Sequence, residues 1–291
     1  MSVDGTVSWR QLWDETAGLT GRPQARWLCE EASGAFGAEF LDGLEEPVTE
    51  RSMAHLDAML ARVRAGEPLQ YVLGHWSFRH LDLLVDRRVL IPRPETELVA
   101  QVAIDLVRSA VKGWPERPIP VADLGTGSGA LGLSLAFELP RGSVDVWLTD
   151  VSSDALDVAR ANTAGLGVAG AAVQFGQGEW FAALPSSLRG SLGLVVSNPP
   201  YIAHGDPAVE QSVRDWEPAL ALFADDEGLA HVQTIAAGSA LWLRPGGWLV
   251  LEIGTGQGAA ASALLAAAGL IDVQIRPDLA EHDRIAIARK P

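Results

Sequence analysis

The chain opens with hydrophobic residues at helical spacing. In three segments the apolar residues recur at intervals of three and four, so each segment presents one apolar face when helical. Glycines separate these segments, as expected of breaks between helices. The predicted helices are Ser8–Leu19, Pro23–Ala35 and Thr49–Arg64. The pattern therefore predicts a small helical domain over residues 1–74.

A change of pattern follows the last of these helices. Between Trp76 and Leu90 apolar and polar residues alternate, which is typical of half-buried strands and predicts a hairpin. We interpret residues 75–92 as a hairpin linker. A chain of 291 residues exceeds one simple domain of roughly 100–200 residues. Residues 93–291 are accordingly expected to form a second, larger domain.

In the larger domain short apolar runs alternate with longer helical segments. This alternation is typical of a parallel sheet covered by helices and predicts an α/β fold with seven strands. Helices are expected between the strands at Leu131–Leu139 and Ser153–Leu166. The predicted strands are Val121–Gly125, Val144–Asp150, Ala172–Phe175, Leu192–Ser197, Gly247–Ile253, Asp272–Ile275 and Ile285–Ala288.

Composition places the chain among ordered globular proteins, with 48% hydrophobic and 20% charged residues. Cys29 is its single cysteine, which excludes an intramolecular disulfide and a cysteine-based zinc site. The six histidines lack the spacing of metal ligands, so no metal is expected. No secretory signal is visible, and the longest apolar stretch, Gly258–Ile271, falls short of the roughly 20 residues that span a bilayer. We therefore expect a soluble, cytoplasmic protein without a membrane partner.

The charge balance narrows the range of partners. Lysine and arginine total 22 against 37 aspartate and glutamate residues, which gives a net charge of −15. Tight binding to phosphate backbones requires positive charge, so direct tight binding of nucleic acid is not expected. The chain is expected to be monomeric.

A glycine-rich loop follows the first predicted strand of the sheet. Glycines there permit a sharp turn and let a ligand approach the backbone closely. Asp150, at the end of the next strand, is placed to reach ribose hydroxyls. The candidate cofactor-binding residues of the loop are Asp123, Gly125, Thr126, Gly127, Ser128 and Gly129.

The chemistry of this loop favours a nucleoside without phosphates. The loop lacks the Lys-Ser/Thr pair that holds phosphate and Mg²⁺ in a P-loop. S-adenosylmethionine fits, since its amino-acid end suits the glycine turn and its sulfonium tolerates an acidic, aromatic pocket. The alternative is a structural turn in which Asp150 caps a helix.

A second motif, Asn-Pro-Pro-Tyr, ends the apolar strand Leu192–Ser197. Open α/β sheets bind their ligands at this edge. The two prolines remove backbone donors, so carbonyl oxygens can face a ligand, and the asparagine adds a side-chain acceptor. Together these groups suit a planar NH₂ group aimed at a methyl donor. The alternative is a rigid turn. The candidate catalytic residues are Asn198, Pro199, Pro200 and Tyr201, with Asn198 also in the cofactor-binding set.

With these motifs the sequence resembles the N5-glutamine methyltransferases of peptide chain release factors, the PrmC/HemK type. The resemblance covers nearly the whole chain. Asn-Pro-Pro-Tyr by itself is shared with other amino methyltransferases, whereas Ile-Pro-Arg-Pro-Glu-Thr-Glu is much more specific. The matching segments are Gly66–Gly74, Leu90–Glu97, Asp123–Gly129, Gly178–Phe181, Asn198–Tyr201, Glu217–Pro218 and Leu251–Gly258.

The resemblance implies a seven-stranded, Rossmann-like class I methyltransferase domain, preceded by a helical substrate-recognition domain and a hairpin linker. It implies methyl transfer from S-adenosylmethionine to the glutamine amide of the Gly-Gly-Gln motif in release factors. It further implies that the loop Gly125–Gly129 lines the cofactor, Asp150 binds its ribose and Trp180 lies by its adenine. Glu179 stands where the family usually has aspartate or asparagine, which leaves a hydrogen bond from that position to the adenine open.

The resemblance also implies how the acceptor amide is held. Asn198 and the carbonyl of Pro199 would accept its two N–H bonds, and Tyr201 would pack against its plane. The expected mechanism is direct in-line transfer without a covalent enzyme intermediate or a strong base. Two alternatives stay open: an amino methyltransferase for a ribosomal-protein glutamine or an exocyclic base amine of DNA or RNA, and a non-catalytic S-adenosylmethionine-binding protein.

Two further segments have two interpretations each. Pro92–Glu97 is either a flap over the cofactor or a proline-fixed entry to a helix over Thr96–Val111, with Arg93 and Glu95 as a structural ion pair. Glu217-Pro218 either steers the substrate or marks a helix boundary.

Overall fold

The structure is a computed structural model that describes residues 6–110, 114 and 118–291. The fold divides into two compact units, Met1–Gly74 and His75–Pro291. No helix among the described residues combines the length and the apolar character that crossing a membrane requires.

The first unit is helical, as the periodicity predicts. Ser8 caps the first helix, because its hydroxyl accepts the Gln11 N–H while the Gln11 side chain accepts the Ser8 N–H. Thr49 caps the fourth helix, since its hydroxyl accepts the Ser52 N–H at 3.1 Å. Phe40 is buried in the core between them. The helices are α1 (Trp9–Thr20), α2 (Arg22–Ser33), α3 (Ala38–Asp42), α4 (Glu50–Arg64) and α5 (Leu69–Leu73).

The second unit begins with the predicted hairpin, formed by β1 (His75–Phe78) and β2 (Leu81–Leu84). Arg79 occupies the turn with a φ of 53°, and its guanidinium donates to both carboxylate oxygens of Glu138 at 2.6 and 2.8 Å. Phe78 and Leu83 are buried in the core of the second unit. The hairpin thus packs as part of this unit.

A seven-stranded sheet forms the centre of the second unit, which confirms the predicted α/β fold. Its order is β10-β11-β9-β6-β3-β4-β5, with β11 antiparallel to both neighbours and the remaining pairs parallel. A separate parallel pair is formed by β7 and β8. The strands are β3 (Ile119–Leu124), β4 (Val144–Asp150), β5 (Gln174–Gln177), β6 (Leu192–Ser197), β7 (Ile202–Ala203), β8 (Phe223–Ala224), β9 (Leu243–Glu252), β10 (Ile271–Pro277) and β11 (Asp283–Arg289).

Helices cover both faces of this sheet. Alternate strand residues point to opposite faces, so Val121 joins the core under α6 and α7 while Ala122 joins the core under α10 and α11. The helices of the second unit are α6 (Pro94–Ala110), α7 (Ala130–Glu138), α8 (Ser153–Gly165), α9 (Gln211–Trp216), α10 (Ala230–Trp242) and α11 (Gly258–Ala267).

The strand order reverses at β3. From β3 the chain moves to β4 and β5 on one side, and β6 and β9 lie on the other side. Loops that leave the carboxyl ends of β3 and β6 therefore diverge and leave a crevice, the place where open α/β sheets bind ligands. The glycine-rich loop follows β3, and Asn-Pro-Pro-Tyr follows β6.

Candidate active site

A cavity lies at this crevice and brings both predicted motifs together. Its lining residues come from the glycine-rich loop, from the ends of β4 and β6, and from the segment that leads into α6. Of the predicted site residues, the lining includes Asp123, Gly125, Thr126, Gly127, Ser128, Asp150, Trp180, Asn198 and Pro200.

The glycine-rich loop has the backbone that its sequence requires. Gly125, Gly127 and Gly129 have φ values of 68°, 55° and 90°, a region that favours glycine. At Gly129 a Cβ would also lie 2.8 Å from the Leu133 side chain. A larger residue there would meet both strain and collision, so the tight turn into α7 depends on glycine.

Asp123 presents an unused acceptor beside the cavity. Its Oδ2 accepts the Thr126 hydroxyl at 2.6 Å and the Gly132 N–H at 2.9 Å. Its Oδ1 is buried and has no partner among the described residues. Burial raises the pKa of Asp123 to about 6. A cationic ligand group that reached Oδ1 would supply the missing partner and favour the ionised carboxylate, and the ammonium group of an amino-acid ligand fits this requirement.

Asp150 connects the end of β4 to the glycine-rich loop. Its Oδ2 accepts the Gly127 N–H at 3.0 Å, and its Oδ1 accepts the Ser152 N–H at 2.9 Å. Ser152, not Asp150, caps α8, since its hydroxyl accepts the Ala155 N–H at 3.2 Å. The interpretation of Asp150 as a helix cap is therefore wrong. Burial raises the pKa of Asp150, and a carboxylate has further lone pairs for ligand hydroxyls.

An aromatic side chain forms another side of the cavity. Trp180 adopts a φ of 46°, and its ring lies where a Cβ on Gly125 would be only 3.4 Å away. The His231 ring lies 5.0 Å from the Trp180 ring, and burial lowers the pKa of His231. A neutral imidazole and an indole together suit a flat, uncharged ring such as a nucleobase.

The Asn-Pro-Pro-Tyr segment is tied to its neighbours on both sides. Ser197, just before it, donates its hydroxyl to the Leu124 carbonyl at 2.6 Å. Asn198 and Pro200 line the cavity. Tyr201 donates its hydroxyl to Glu252 Oε1 at 3.0 Å, and its carbonyl accepts from the Gln257 side chain at 3.1 Å. These bonds hold the segment at the edge of the sheet.

Two residues behind Asn198 were not among the predicted site residues. Asn198 donates from Nδ2 to Thr96 Oγ1 at 3.2 Å, and Thr96 donates from Oγ1 to Glu252 Oε2 at 2.6 Å. Glu252 ends β9, the strand beside β6, and is 1% exposed. The sequence does contain a signal for Glu252. A glutamate that ends an apolar strand is expected at the same edge of the sheet as the other two motifs.

The segment Pro92–Glu97 both enters α6 and contributes to the cavity. Pro94 is the first residue of the helix, while Pro92 and Thr96 line the cavity. The predicted pair of Arg93 with Glu95 is wrong. Arg93 instead contacts the buried carboxylate of Glu217 at 2.5 Å.

The structure confirms one of the two interpretations of Glu217-Pro218, the helix boundary, whereas steering of the substrate stays a prediction. Glu217 follows the last residue of α9, which makes it a helix boundary. Its Oε2 also accepts the Ile91 N–H at 3.1 Å, so it fixes the entry to α6. Pro218 and Leu220 beyond it line the cavity.

Across the described residues, no group of three histidine, cysteine or carboxylate side chains is arranged to hold a metal ion.

Comparisons with known proteins identify two family models and several relatives that this chain matches. The methyltransferase small domain family matches residues 112–215, and the PrmC N-terminal domain family matches residues 19–74. A release factor glutamine methyltransferase of Burkholderia pseudomallei is 40% identical over 270 residues, which are 92% of this chain and 91% of that protein. One from Xylella fastidiosa is 41% identical over 245 residues, or 84% of each chain.

A solved structure supports the fold separately. A methyltransferase from Pyrococcus furiosus superposes with a TM-score of 0.51 at 14% sequence identity. The match covers 80% of this chain and 98% of that chain. At this identity the likeness concerns the fold alone.

Proposed function

Because the chain belongs to the release factor glutamine methyltransferase family, we propose that it methylates the N5 amide nitrogen of the glutamine in the Gly-Gly-Gln motif of peptide chain release factors. It is an S-adenosylmethionine-dependent protein-(glutamine-N5) methyltransferase. We further infer that the helical unit recognises the release factor. A monomeric state and the lack of tight nucleic-acid binding remain predictions.

The observation that carries this proposal is the orientation of Asn198. Its Nδ2 is engaged by Thr96, so its Oδ1 is left to accept a hydrogen bond at the cavity. The glycine-rich loop lies at the same cavity. An acceptor oxygen beside a nucleoside-type pocket suits a substrate that carries N–H donors, and a primary amide carries two.

The chain's own residues divide into those for the cofactor and those for the amide. Asp123 Oδ1, which has no partner in the part of the chain that the structure describes, suits the ammonium group of S-adenosylmethionine. Asp150 suits its ribose, and Trp180 with His231 suits its adenine. When bound there, S-adenosylmethionine supplies an electrophilic methyl group on a sulfonium.

For the amide, Asn198 Oδ1 and the Pro199 carbonyl are the two acceptors. Amide nitrogen is a poor nucleophile because its lone pair is delocalised. The two acceptors hold its hydrogens and favour the transition state, in which the nitrogen gains positive charge, over the ground state. The nitrogen becomes acidic once it is methylated, so its proton leaves to solvent without a strong base.

The test is methyl transfer to a purified release factor. The assay supplies S-adenosylmethionine with a labelled methyl group and compares three acceptors: the intact factor, a factor whose Gly-Gly-Gln glutamine is changed to alanine, and DNA. Label on the intact factor alone is the expected result. Label on DNA, or on none of the three, would contradict the proposal.

A further inference from the structure

The polarity of the hydrogen bonds behind Asn198 follows from proton counting. An ionised Glu252 carboxylate only accepts, so the single Thr96 proton points to Glu252 Oε2. The Thr96 oxygen can then only accept from Asn198, and an amide donates only through its nitrogen. The chain of bonds therefore commits Nδ2 of Asn198 to Thr96 and leaves Oδ1 as the group of this cavity-lining side chain that can accept from a substrate.

We propose that Thr96 and Glu252 are positioning residues that hold the Asn198 amide in the one orientation able to grip the acceptor amide. This inference rests on the proposed function. A free asparagine amide can rotate by a half turn and present NH₂ in place of its oxygen. That orientation would set donor against donor at the substrate nitrogen and would remove one of the two acceptors.

Burial makes this arrangement effective. Thr96 is 3% exposed and Glu252 is 1% exposed, so both side chains are largely removed from solvent. The second carboxylate oxygen of Glu252 accepts the Tyr201 hydroxyl at 3.0 Å. One carboxylate thus fixes both ends of the Asn-Pro-Pro-Tyr segment. Removal of a partner here leaves a buried polar group unpaired, which is costly.

The same geometry predicts a pH dependence. The groups facing Glu252 are the hydroxyls of Thr96 and Tyr201, with Glu95 from α6 and Arg284 from β11 acting at longer range. Burial and Glu95 raise the pKa of Glu252, while the hydroxyls and Arg284 lower it, and the balance is upward. A proton on Oε2 would donate to Thr96, whose own proton would then turn to Asn198 and favour the wrong amide orientation.

The first experiment compares Thr96→Val with Thr96→Ser on the full chain, with the release factor as substrate. Valine keeps the shape and removes the hydroxyl, so we expect kcat to fall about tenfold or more, as a misplaced group does. Serine keeps the hydroxyl, and kcat should stay within about threefold of wild type. Cofactor affinity, measured by calorimetry, should be unchanged in both variants. The positioning role predicts a loss in kcat without a matching rise in KM.

Thr163→Val is the matched control. Thr163 is a buried helical threonine whose hydroxyl bonds only to the Ala159 carbonyl of its own helix in the described structure, and it does not line the cavity. Its variant should retain wild-type kcat. Equal losses in Thr96→Val and Thr163→Val would assign the effect to packing and would overturn the inference.

The second experiment measures kcat against pH at saturating cofactor and substrate for wild type and Glu252→Gln. Wild-type kcat should decline on the acidic side, and this decline should be absent in Glu252→Gln, whose kcat is low throughout. An unchanged acidic decline in Glu252→Gln would overturn the inference, and this experiment decides the matter if Thr96→Val does not fold.

An inactive wild type would contradict the proposed function itself, whereas an active wild type with a fully active Thr96→Val contradicts only the positioning role.

Discussion

At the scale of single residues, Asn198 is the side chain on which we expect catalysis to depend most. Its Oδ1 is one of two acceptors expected to hold the substrate amide. Asn198→Ala should therefore cost turnover by roughly 2–4 kcal/mol of transition-state stabilisation, as loss of one polarising group does in other active sites. Single-turnover methyl transfer at saturating cofactor measures this loss separately from any change in cofactor affinity. Wild-type turnover in Asn198→Ala would contradict the assigned role.

Asp123 predicts a pH dependence of cofactor binding. Because burial raises the pKa of Asp123 to about 6, its carboxyl takes up a proton as the pH falls through that value. Only the ionised form attracts an ammonium group, so the affinity for S-adenosylmethionine should be full above pH 7 and should decline below about pH 6. Calorimetric titrations across this range measure the effect.

Asp123→Asn is the control for this titration. The variant keeps an acceptor for the Thr126 hydroxyl but lacks the charge, so it should bind the cofactor about tenfold or more weakly at pH 8. Its affinity should then vary little between pH 8 and pH 5. A decline in Asp123→Asn as steep as that of wild type would assign the titration to another group, such as Asp150.

The residues that the sequence identified are those within compact motifs. Asp123 and Asp150 lie at the carboxyl ends of β3 and β4, and Asn198 directly follows β6, so the carboxyl edge of the sheet brings them together. Thr96 and Glu252 were missed because they are 156 residues apart in sequence and meet only through packing of α6 against the sheet. The wrong partner for Arg93 has the same cause: a local pair was expected, and a distant, buried glutamate is the partner.

At the scale of elements, Asn162 of α8 connects the hairpin to the glycine-rich loop. Its Oδ1 accepts the Leu84 N–H at 2.7 Å, and its Nδ2 donates to the Leu84 carbonyl at 3.1 Å and to the Ser128 carbonyl at 2.8 Å. The Asn162 amide thus pairs with the Leu84 backbone as a neighbouring strand would. It also anchors the glycine-rich loop through Ser128. Sequence patterns gave no sign of this role.

Asn162→Ala should lower the free energy of unfolding by about 2–3 kcal/mol, because the buried bond to the Ser128 carbonyl and two part-buried bonds to the Leu84 backbone are lost. Chemical denaturation measures this change. Asp157→Ala on the same helix is the control, since its exposed pair with Arg160 contributes little. Equal stability of Asn162→Ala and Asp157→Ala would show that the hairpin and the loop are held by other contacts.

Most strands lie close to their predicted positions, and the exceptions have local causes. β4 and β6 coincide with the predicted strands: β6 is buried along its whole length, and β4 alternates buried and partly buried residues over most of its length. β5 begins two residues late, because the 3-10 turn Gly167–Ala172 uses the residues before it. β9 begins at Leu243, before a Pro-Gly-Gly sequence typical of a turn, and its pairing with β6 shifts register at that point.

At the scale of the whole molecule, the net charge of −15 sets which partners are attracted over distance. Naked RNA and DNA carry the same sign and should be repelled. In fluorescence anisotropy at about 0.15 M salt, where charges act over roughly 8 Å, labelled tRNA or duplex DNA should show no saturable binding at micromolar protein. The release factor is the positive control, and tight binding of either nucleic acid would reveal a basic surface that the total charge conceals.

The contacts of Asp150 also have a thermodynamic consequence. Its carboxylate accepts hydrogen bonds from the Gly127 and Ser152 N–H groups, so the backbone of the loop is held by the protein's own groups. Binding then costs little further conformational entropy. A rigid binding loop discriminates between two ligands only at the atoms where they differ. The methyl donor and its demethylated product differ at the sulfur alone. The demethylated product should therefore compete well with S-adenosylmethionine for the site, and turnover should depend on the cellular ratio of the two molecules. Inhibition assays with the demethylated product measure this competition.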